Sequence, residues 1–261
     1  MPDNLIYVYC LSDNPPELDR ITEPEGLKCL NFGKFFVVVK EVSEKEFGEE
    51  NLKRNLSDIP WLESNAREHI RVISMIMEQV TVIPFKFGTI YYSEDSLRKF
   101  TEDYAAILTD NLHNIEGKEE WAVKIYNNRA VMSERIDNLS TTASDIEKQI
   151  MMSSPGKAFI LGRKKADLIE SEIYRICKEY GQAYYDEFKN LSESTVLNNL
   201  LPKEFSGRED TMILNATFLV NKNKAVDFKK TVSRLQNQNE YYGFSIEATG
   251  PWPSFSFISI K

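Results

Sequence analysis

The sequence predicts an α+β fold with two domains, residues 1–117 and residues 118–261. Short segments rich in β-branched and aromatic residues alternate with segments whose apolar residues recur every three or four positions, which indicates strands between amphipathic helices. The charge divides at the same place: residues 1–117 hold 12 basic and 21 acidic side chains, a net of −9, whereas residues 118–261 hold 20 and 19, a net of +1. The second half also follows the order β-α-β-β-α-β, which predicts a ferredoxin-like domain.

The first domain is predicted to be an acidic sheet-and-helix unit. One helix begins at Trp61, where the apolar spacing changes to three and four residues. Ser93 is a good N-cap for a second helix, which Gly117 ends. Pro84 has no amide to donate and is expected at a strand start or sheet edge, and Gly88 is expected in a bulge or a close packing. The predicted strands are Leu5–Leu11, Leu27–Leu30, Phe35–Val42, Thr81–Pro84 and Phe85–Tyr92.

The second domain is predicted to be ferredoxin-like, with a long helical hairpin inserted after its first strand. Ser154-Pro155-Gly156 separates two helices whose apolar seams match, which indicates an antiparallel pair. In chain order, the predicted elements are a strand at Glu119–Tyr126, a helix over residues 132–150, a helix from about Lys164 to Leu191, strands at Leu200–Phe205 and Thr211–Val220, a helix over residues 225–235 and a strand at Tyr242–Ala248.

A C-terminal tail, residues 249–261, follows the last predicted strand. It is too apolar to stay in water, and Pro251 and Pro253 keep it from forming a central strand. We expect the tail to be ordered and to fold back on the second domain. Alternatively, part of it is offered to a partner by strand addition. Trp252, Phe255 and Phe257 are therefore candidate partner-binding residues.

A basic triplet, Arg163, Lys164 and Lys165, is predicted to lie where the second long helix begins. Basic residues at a helix N-terminus oppose the helix macrodipole. Two interpretations remain open: solvated charge just before the helix, or a contact point for an acidic partner. These three residues complete the candidate partner-binding set.

The sequence gives no support for an enzyme, a cofactor site or a metal site. Its two histidines, His69 and His113, lack metal-site spacing, and no glycine-rich phosphate loop or GxSxG motif is present. His69 shares a helix face with Ile70 and Ile73, so we expect a half-buried, hydrogen-bonded histidine. We therefore predict no catalytic, cofactor-binding or metal-binding residues.

Composition also bounds the setting of the protein. No segment approaches the ~18 apolar residues of a membrane span, and the N-terminus lacks the pattern of a secretory signal. The three cysteines form no CxxC pair, which favours a reduced, cytoplasmic location. The acidic first half argues against nucleic-acid binding.

Six segments distributed along the chain carry a recognisable pattern: YVYC at 7–10, VIPFKFGTIYYSEDSL at 82–97, EEWAVKIY at 119–126, PGKAFILGRKK at 155–165, LNATFLV at 214–220 and TGPWPSFSFI at 249–258. Taken in order, they resemble the gas vesicle GvpF/GvpL family over nearly the whole chain. Ser254 departs from that pattern, because the family often has a second proline followed by an aromatic residue there.

The resemblance implies a minor, non-enzymatic accessory protein of gas vesicle assembly that is cytoplasmic and associated with vesicles. It also implies contact with the small hydrophobic shell protein GvpA and with other gas vesicle accessory proteins, while GvpA is kept from aggregating or is added to the shell. The alternative is a ferredoxin-like enzyme or small-ligand sensor whose pocket lies between the helical hairpin and the sheet.

Overall fold

The computed structural model describes residues 4–260 and divides the chain into two compact units. The first unit comprises residues 1–120 together with residues 251–261, and the second unit comprises residues 121–250. Each unit contains helices packed on a sheet, so the predicted mixture of helix and strand is confirmed. Within residues 4–260, no helix combines the length and the apolar character needed to cross a bilayer.

The first unit is built on an antiparallel sheet centred on its first strand. The strand order is β2-β3-β1-β4, and β5 also pairs with β1, beyond β4 along the same strand. Gly33, with φ of 73°, lies in the two-residue turn that joins β2 to β3. The strands are β1 Asn4–Ser12, β2 Leu27–Phe32, β3 Phe35–Ser43, β4 Ile83–Pro84 and β5 Ile90–Tyr91.

Five helices accompany this sheet. The longest, α3, begins where the Asp58 carboxylate accepts the Trp61 N–H, and its apolar face contributes Ile73 and Ile76 to a core shared with Tyr7 of β1. The helices are α1 Glu44–Phe47, α2 Glu49–Asn55, α3 Ile59–Met77, α4 Glu94–Asp103 and α5 Ala105–Ile115.

Two predictions for the first unit are corrected. The helix that starts after Ser93 is not continuous, because it divides at Tyr104 into α4 and α5. The two strands predicted at Thr81–Pro84 and Phe85–Tyr92 are shorter than predicted: within this segment only β4 and β5 are strands, both paired with β1, and residues 85–89 form a loop. Pro84 lies in an edge strand, as predicted. Gly88 lies in the loop rather than in a strand, and its φ of 78° is the left-handed conformation that glycine adopts readily.

The second unit holds a four-stranded sheet with the order β7-β8-β6-β9. Its core joins Val123 and Ile125 of β6, Phe188 of α8, Phe218 of β8 and Phe228 of α10. The elements, in chain order, are β6 Lys118–Asn127, α6 Arg129–Arg135, α7 Thr141–Met151, α8 Pro155–Asn190, β7 Ser194–Leu197, α9 Lys203–Ser206, β8 Thr211–Asn221, α10 Ala225–Asn239 and β9 Phe244–Trp252.

Helix boundaries in the second unit differ from the predictions. The helix predicted over residues 132–150 is divided by a 3₁₀ turn at Ile136–Asn138, after which the Ser140 hydroxyl caps α7 by accepting the Ala143 N–H. Helix α8 begins at Pro155 rather than near Lys164, because proline fits the first helical position, where no backbone N–H is needed.

The strand predicted at Leu200–Phe205 is also wrong. The edge strand beside β8 is β7, at Ser194–Leu197, and residues 203–206 form the short helix α9 after Pro202. Pro202 has no amide for a sheet ladder, and Gly207, with φ of 67°, ends α9 in the left-handed conformation.

The tail is ordered but does not fold as predicted. Its residues 251–261 belong to the first unit, so the expectation that the tail covers the second domain is wrong. A 3₁₀ turn, Phe255–Phe257, places the Phe255 ring against the first-unit core. Hydrogen bonds from Ser256 to Glu120 and between Ser259 and Asn111 fix the chain beyond it.

Candidate functional site

A buried histidine lies at the centre of the first unit. His69 is only 1% exposed, and its Nδ1 lies 2.8 Å from the Tyr7 hydroxyl while its Nε2 lies 2.9 Å from the Phe85 carbonyl oxygen. Since a carbonyl only accepts, Nε2 carries the proton and the Tyr7 hydroxyl donates to Nδ1. Burial lowers the pKa of His69, so the ring is held neutral in this arrangement.

The loop between β4 and β5 is held by the backbone of β1 as well as by this histidine. The Phe85 N–H donates to the Tyr9 carbonyl at 2.9 Å, and the Val8 N–H donates to the Thr89 carbonyl at 3.0 Å. Both ends of the loop are therefore hydrogen-bonded to β1. Between them the Thr89 N–H closes a turn onto the Lys86 carbonyl at 3.1 Å, with Gly88 in its third position at positive φ. A non-glycine residue would be strained there.

Aromatic rings enclose the histidine. The turn directs Phe87 toward His69 and Trp61, with ring centroids 5.8 and 6.2 Å apart. Tyr9 stacks on His69 from the sheet at 5.6 Å. From the tail, Phe255 reaches the same imidazole at 6.4 Å. The two segments that resemble the GvpF/GvpL family most distinctively, residues 82–97 and the tail, therefore meet at His69.

Two polar contacts attach the tail beyond Phe255. The Ser256 N–H and hydroxyl donate to the two carboxylate oxygens of buried Glu120, at 2.9 and 2.8 Å. Asn111 pairs with the backbone of Ser259 in both directions, at 3.1 and 3.2 Å. Burial raises the pKa of Glu120, and the two bonds from Ser256 act against that rise. The tail is thus fixed by specific partners as well as by apolar contact.

A cavity of about 310 Å³ opens beside β1 and β3 in the first unit. Glu68 lies on its wall, where it accepts a hydrogen bond from Tyr9 at 2.9 Å and pairs with Lys40 at 3.4 Å. Burial, together with the Glu68 charge, raises the pKa of Tyr9, so the phenol stays protonated. These polar groups bind one another, which is a structural arrangement rather than a set of groups converging on a substrate.

The tip of the helical hairpin carries exposed apolar side chains. We define the hairpin tip as residues 148–165, the end of α7, the connection and the first three turns of α8. Met151 and Met152 are 76% and 88% exposed, and Phe159 and Ile160 are 70% and 58% exposed. Large apolar side chains grouped in this way often mark interaction surfaces.

Comparison with known proteins assigns the chain to a family. A family model described as "Gas vesicle synthesis protein GvpL/GvpF" matches residues 5–259. The chain belongs to the GvpL/GvpF family. It is 24% identical to gas vesicle protein L of Streptomyces sp. (strain CB03234) over 263 residues, which cover 99% of this chain and 94% of that protein. It is 23% identical to gas vesicle protein F1 of Halobacterium salinarum (strain ATCC 700922 / JCM 11081 / NRC-1) over 201 residues, 76% of this chain and 70% of that one.

Solved structures of GvpF share this fold. The crystal structure of GvpF from Anabaena sp. PCC7120 matches with a TM-score of 0.70 at 18% identity and covers 99% of both chains. The crystal structure of GvpF from Microcystis aeruginosa matches with a TM-score of 0.63 at 16% identity, over 98% of this chain and 99% of that one. At these identities the likeness establishes the fold.

The predicted partner-binding residues fall into two groups. Trp252, Phe255 and Phe257 lie in the tail; Trp252 is 38% exposed, whereas the two phenylalanines are half-buried. The tail residues remain predictions as partner contacts.

The basic triplet lies in the third turn of α8, within the second unit. The predicted clash with the helix macrodipole is wrong, because that effect is confined to the first turn and α8 begins at Pro155. Lys165 pairs with Glu147 of α7 and joins the two helices of the hairpin. Arg163 and Lys164 are exposed. All three remain predictions as partner contacts.

The groups that hold the tail were not predicted from the sequence. Asn111 and Glu120 are separated from their partners Ser259 and Ser256 by 148 and 136 residues, and no local pattern reveals such pairs. His69 carried a visible signal, since a polar residue on an apolar helix face needs a buried partner. That prediction was correct in kind, although His69 is fully rather than half buried.

Proposed function

We propose that this chain is an accessory gas vesicle protein that binds the hydrophobic shell protein GvpA and other vesicle proteins during vesicle nucleation and assembly. The observation that carries the proposal is the match to the family model of gas vesicle synthesis proteins. This match covers residues 5–259, nearly the whole chain. The protein acts in the cytoplasm, in association with vesicles, and catalyses no reaction.

The second unit, in this proposal, is a ferredoxin-like domain that serves as a binding scaffold. Its strand order β7-β8-β6-β9 supports that assignment, because β8 lies between β6 and β7 while β6 lies between β8 and β9. In a split βαβ arrangement, each of two βαβ units has a strand of the other unit between its own two strands. The long hairpin α7–α8 is the insertion that extends this scaffold.

The alternative function, a ligand sensor or enzyme, would use a pocket between the hairpin and the sheet of the second unit. A cavity does lie between α8 and β8, lined by Tyr174, Cys177 and Met212 among others. Its volume is about 180 Å³, below the roughly 300–1,000 Å³ typical of small-molecule sites. Burial also raises the pKa of Cys177 to about 11, so its thiol is not an activated nucleophile.

Co-expression with vesicle proteins tests the proposal. The full-length chain, carrying an affinity tag, is expressed together with GvpA or with each other vesicle protein in turn, and the captured material is identified by mass spectrometry. GvpA is expected to co-purify with this chain and not with a tagged unrelated ferredoxin-like protein. Capture of no vesicle protein from any pair would overturn the proposed function.

A further inference from the structure

We propose that the hairpin tip binds an amphipathic helix of another protein whose apolar stripe is bordered by acidic side chains. The inference deepens the proposed function, on which it rests for the setting, by giving the chemistry of one partner.

The apolar part of the tip has no partner within its own hairpin. Met151 is the last residue of α7 and Met152 is its C-cap, and Phe159 and Ile160 lie in the second turn of α8, so all four residues are close to the connection. All are more than half exposed. Methionine and phenylalanine are enriched at protein interfaces, and the flexible thioether adapts to a partner's shape.

The charge of the tip specifies the partner further. Residues 148–165 contain five basic side chains and no acidic one, in a chain whose net charge is −8. Lys148 and Lys165 pair with acidic residues of α7. Across the part of the chain that the structure describes, Lys157, Arg163 and Lys164 form no ion pair. Covering the apolar side chains would also remove water from these cations, which an acidic border would compensate.

The arrangement of the charges favours a protein over a membrane as the binding partner of the hairpin tip. Arg163 follows Phe159, and Lys164 follows Ile160, by four positions, so basic and apolar side chains are neighbours on one exposed face of α8. Helices that lie in a membrane surface separate their charges from their apolar face. A nucleic acid would satisfy the cations but leave Met152 and Ile160 without apolar contacts.

A glycine at the tip is consistent with close approach of a second backbone. Gly162 lies inside α8, although glycine is a poor helix former. Apart from its chain neighbours and the adjoining backbone of α8, no atom of this chain lies within 4 Å of the position that a Cβ there would take. Packing within this fold therefore does not explain Gly162, and the missing side chain leaves room for a helix that crosses the tip.

Fluorescence anisotropy with the full-length protein tests this binding. The probe is a labelled helical peptide with leucines at i, i+3, i+4 and i+7 spacing and glutamates along both borders. The triple variant K157E/R163E/K164E is expected to bind it at least about tenfold more weakly than wild type. A second peptide with lysines in place of the glutamates is expected to bind the triple variant more tightly than it binds wild type.

A matched variant controls for net charge. K178E/K203E/K222E reverses three exposed lysines elsewhere in the second unit and changes the net charge equally. Its affinity for the acidic peptide is expected to stay within about twofold of wild type. Equal weakening of the two triple variants would overturn the proposal, because it would show a general effect of charge.

A substitution at Gly162 distinguishes an effect on peptide binding from an effect on folding. Gly162→Ala improves the helix, so the melting temperature is expected to stay the same or rise while the peptide binds more weakly. Unchanged peptide affinity would overturn close approach at this residue.

Two further probes decide the class of ligand. Tighter binding to vesicles of phosphatidylcholine and phosphatidylserine, or to a single-stranded oligonucleotide, than to the acidic peptide would overturn the proposal. Absence of peptide binding while GvpA still co-purifies would remove this inference alone. Peptide binding without capture of any vesicle protein would overturn the proposed function and leave this inference standing.

Discussion

His69 connects the loop at residues 85–89 to the first strand through both ring nitrogens. Replacing it with phenylalanine preserves much of the ring volume but leaves the Phe85 carbonyl without its donor and Tyr7 without its acceptor. We expect His69→Phe to lower the free energy of unfolding by about 1–3 kcal/mol for each buried group left unpaired. Urea denaturation measures the loss. His113→Phe, at an exposed position, is the control, and an equal effect of both substitutions would contradict the assigned role.

The same histidine predicts a pH dependence. Burial lowers its pKa below the ordinary value of 6.5, against the Phe85 bond and the charge of Glu68. The unfolded chain therefore binds more protons than the folded chain between the two pKa values, and stability rises with pH in that window. We expect the stability advantage of wild type over His69→Phe to be full above pH 6.5 and to shrink as the pH falls toward the folded pKa. An advantage that stays constant down to about pH 5 would contradict this linkage.

At the scale of elements, the tail depends on one half-buried ring. Phe255→Ala removes the contact with His69 and the first-unit core, so we expect a loss of about 1–2 kcal/mol, less than for a fully buried phenylalanine. Phe159→Ala is the matched control, because that ring is 70% exposed. Hydrogen exchange should accelerate in the first unit for the former alone. An equal loss of stability and equal hydrogen exchange in the two variants would argue against the packing of the tail on the first-unit core.

Fragments test which unit the tail belongs to. Residues 121–250 contain the whole buried core of the second unit, so this fragment is expected to fold and to unfold cooperatively. Extending it to residue 261 restores the tail without its partners His69, Asn111 and Glu120, and we expect the melting temperature to be unchanged. A clear rise on extension would instead support the original expectation that the tail covers the second domain.

How far the sequence predicts each element depends on how local its cause is. The strands β1 and β3 and the start of the helix α3 were predicted to within about two residues, since their own apolar periodicity decides them. The start of α8 was missed because Ser154-Pro155-Gly156 ends one helix and begins the next. The tail was misplaced because Glu120 and Asn111, distant along the chain, decide where it packs.

At the scale of the whole molecule, the family match extends over both units. The six resembling segments are distributed from Tyr7 to Ile258, and the matched residues run from 5 to 259. The structural likeness to GvpF likewise covers 99% of both chains. The candidate contacts were less predictable than the fold, because exposure of Met152 or Phe159 depends on which helix faces the hairpin buries.

Gas vesicle formation in a strain that lacks this gene tests the role of the protein most directly. Intact vesicles are counted by electron microscopy and by the light scattering that disappears when pressure collapses them. We expect the strain to form few or no intact vesicles, the wild-type gene to restore them, and the matched charge control K178E/K203E/K222E to restore them equally. Vesicles of normal number and shape in the absence of the gene would contradict a role in assembly.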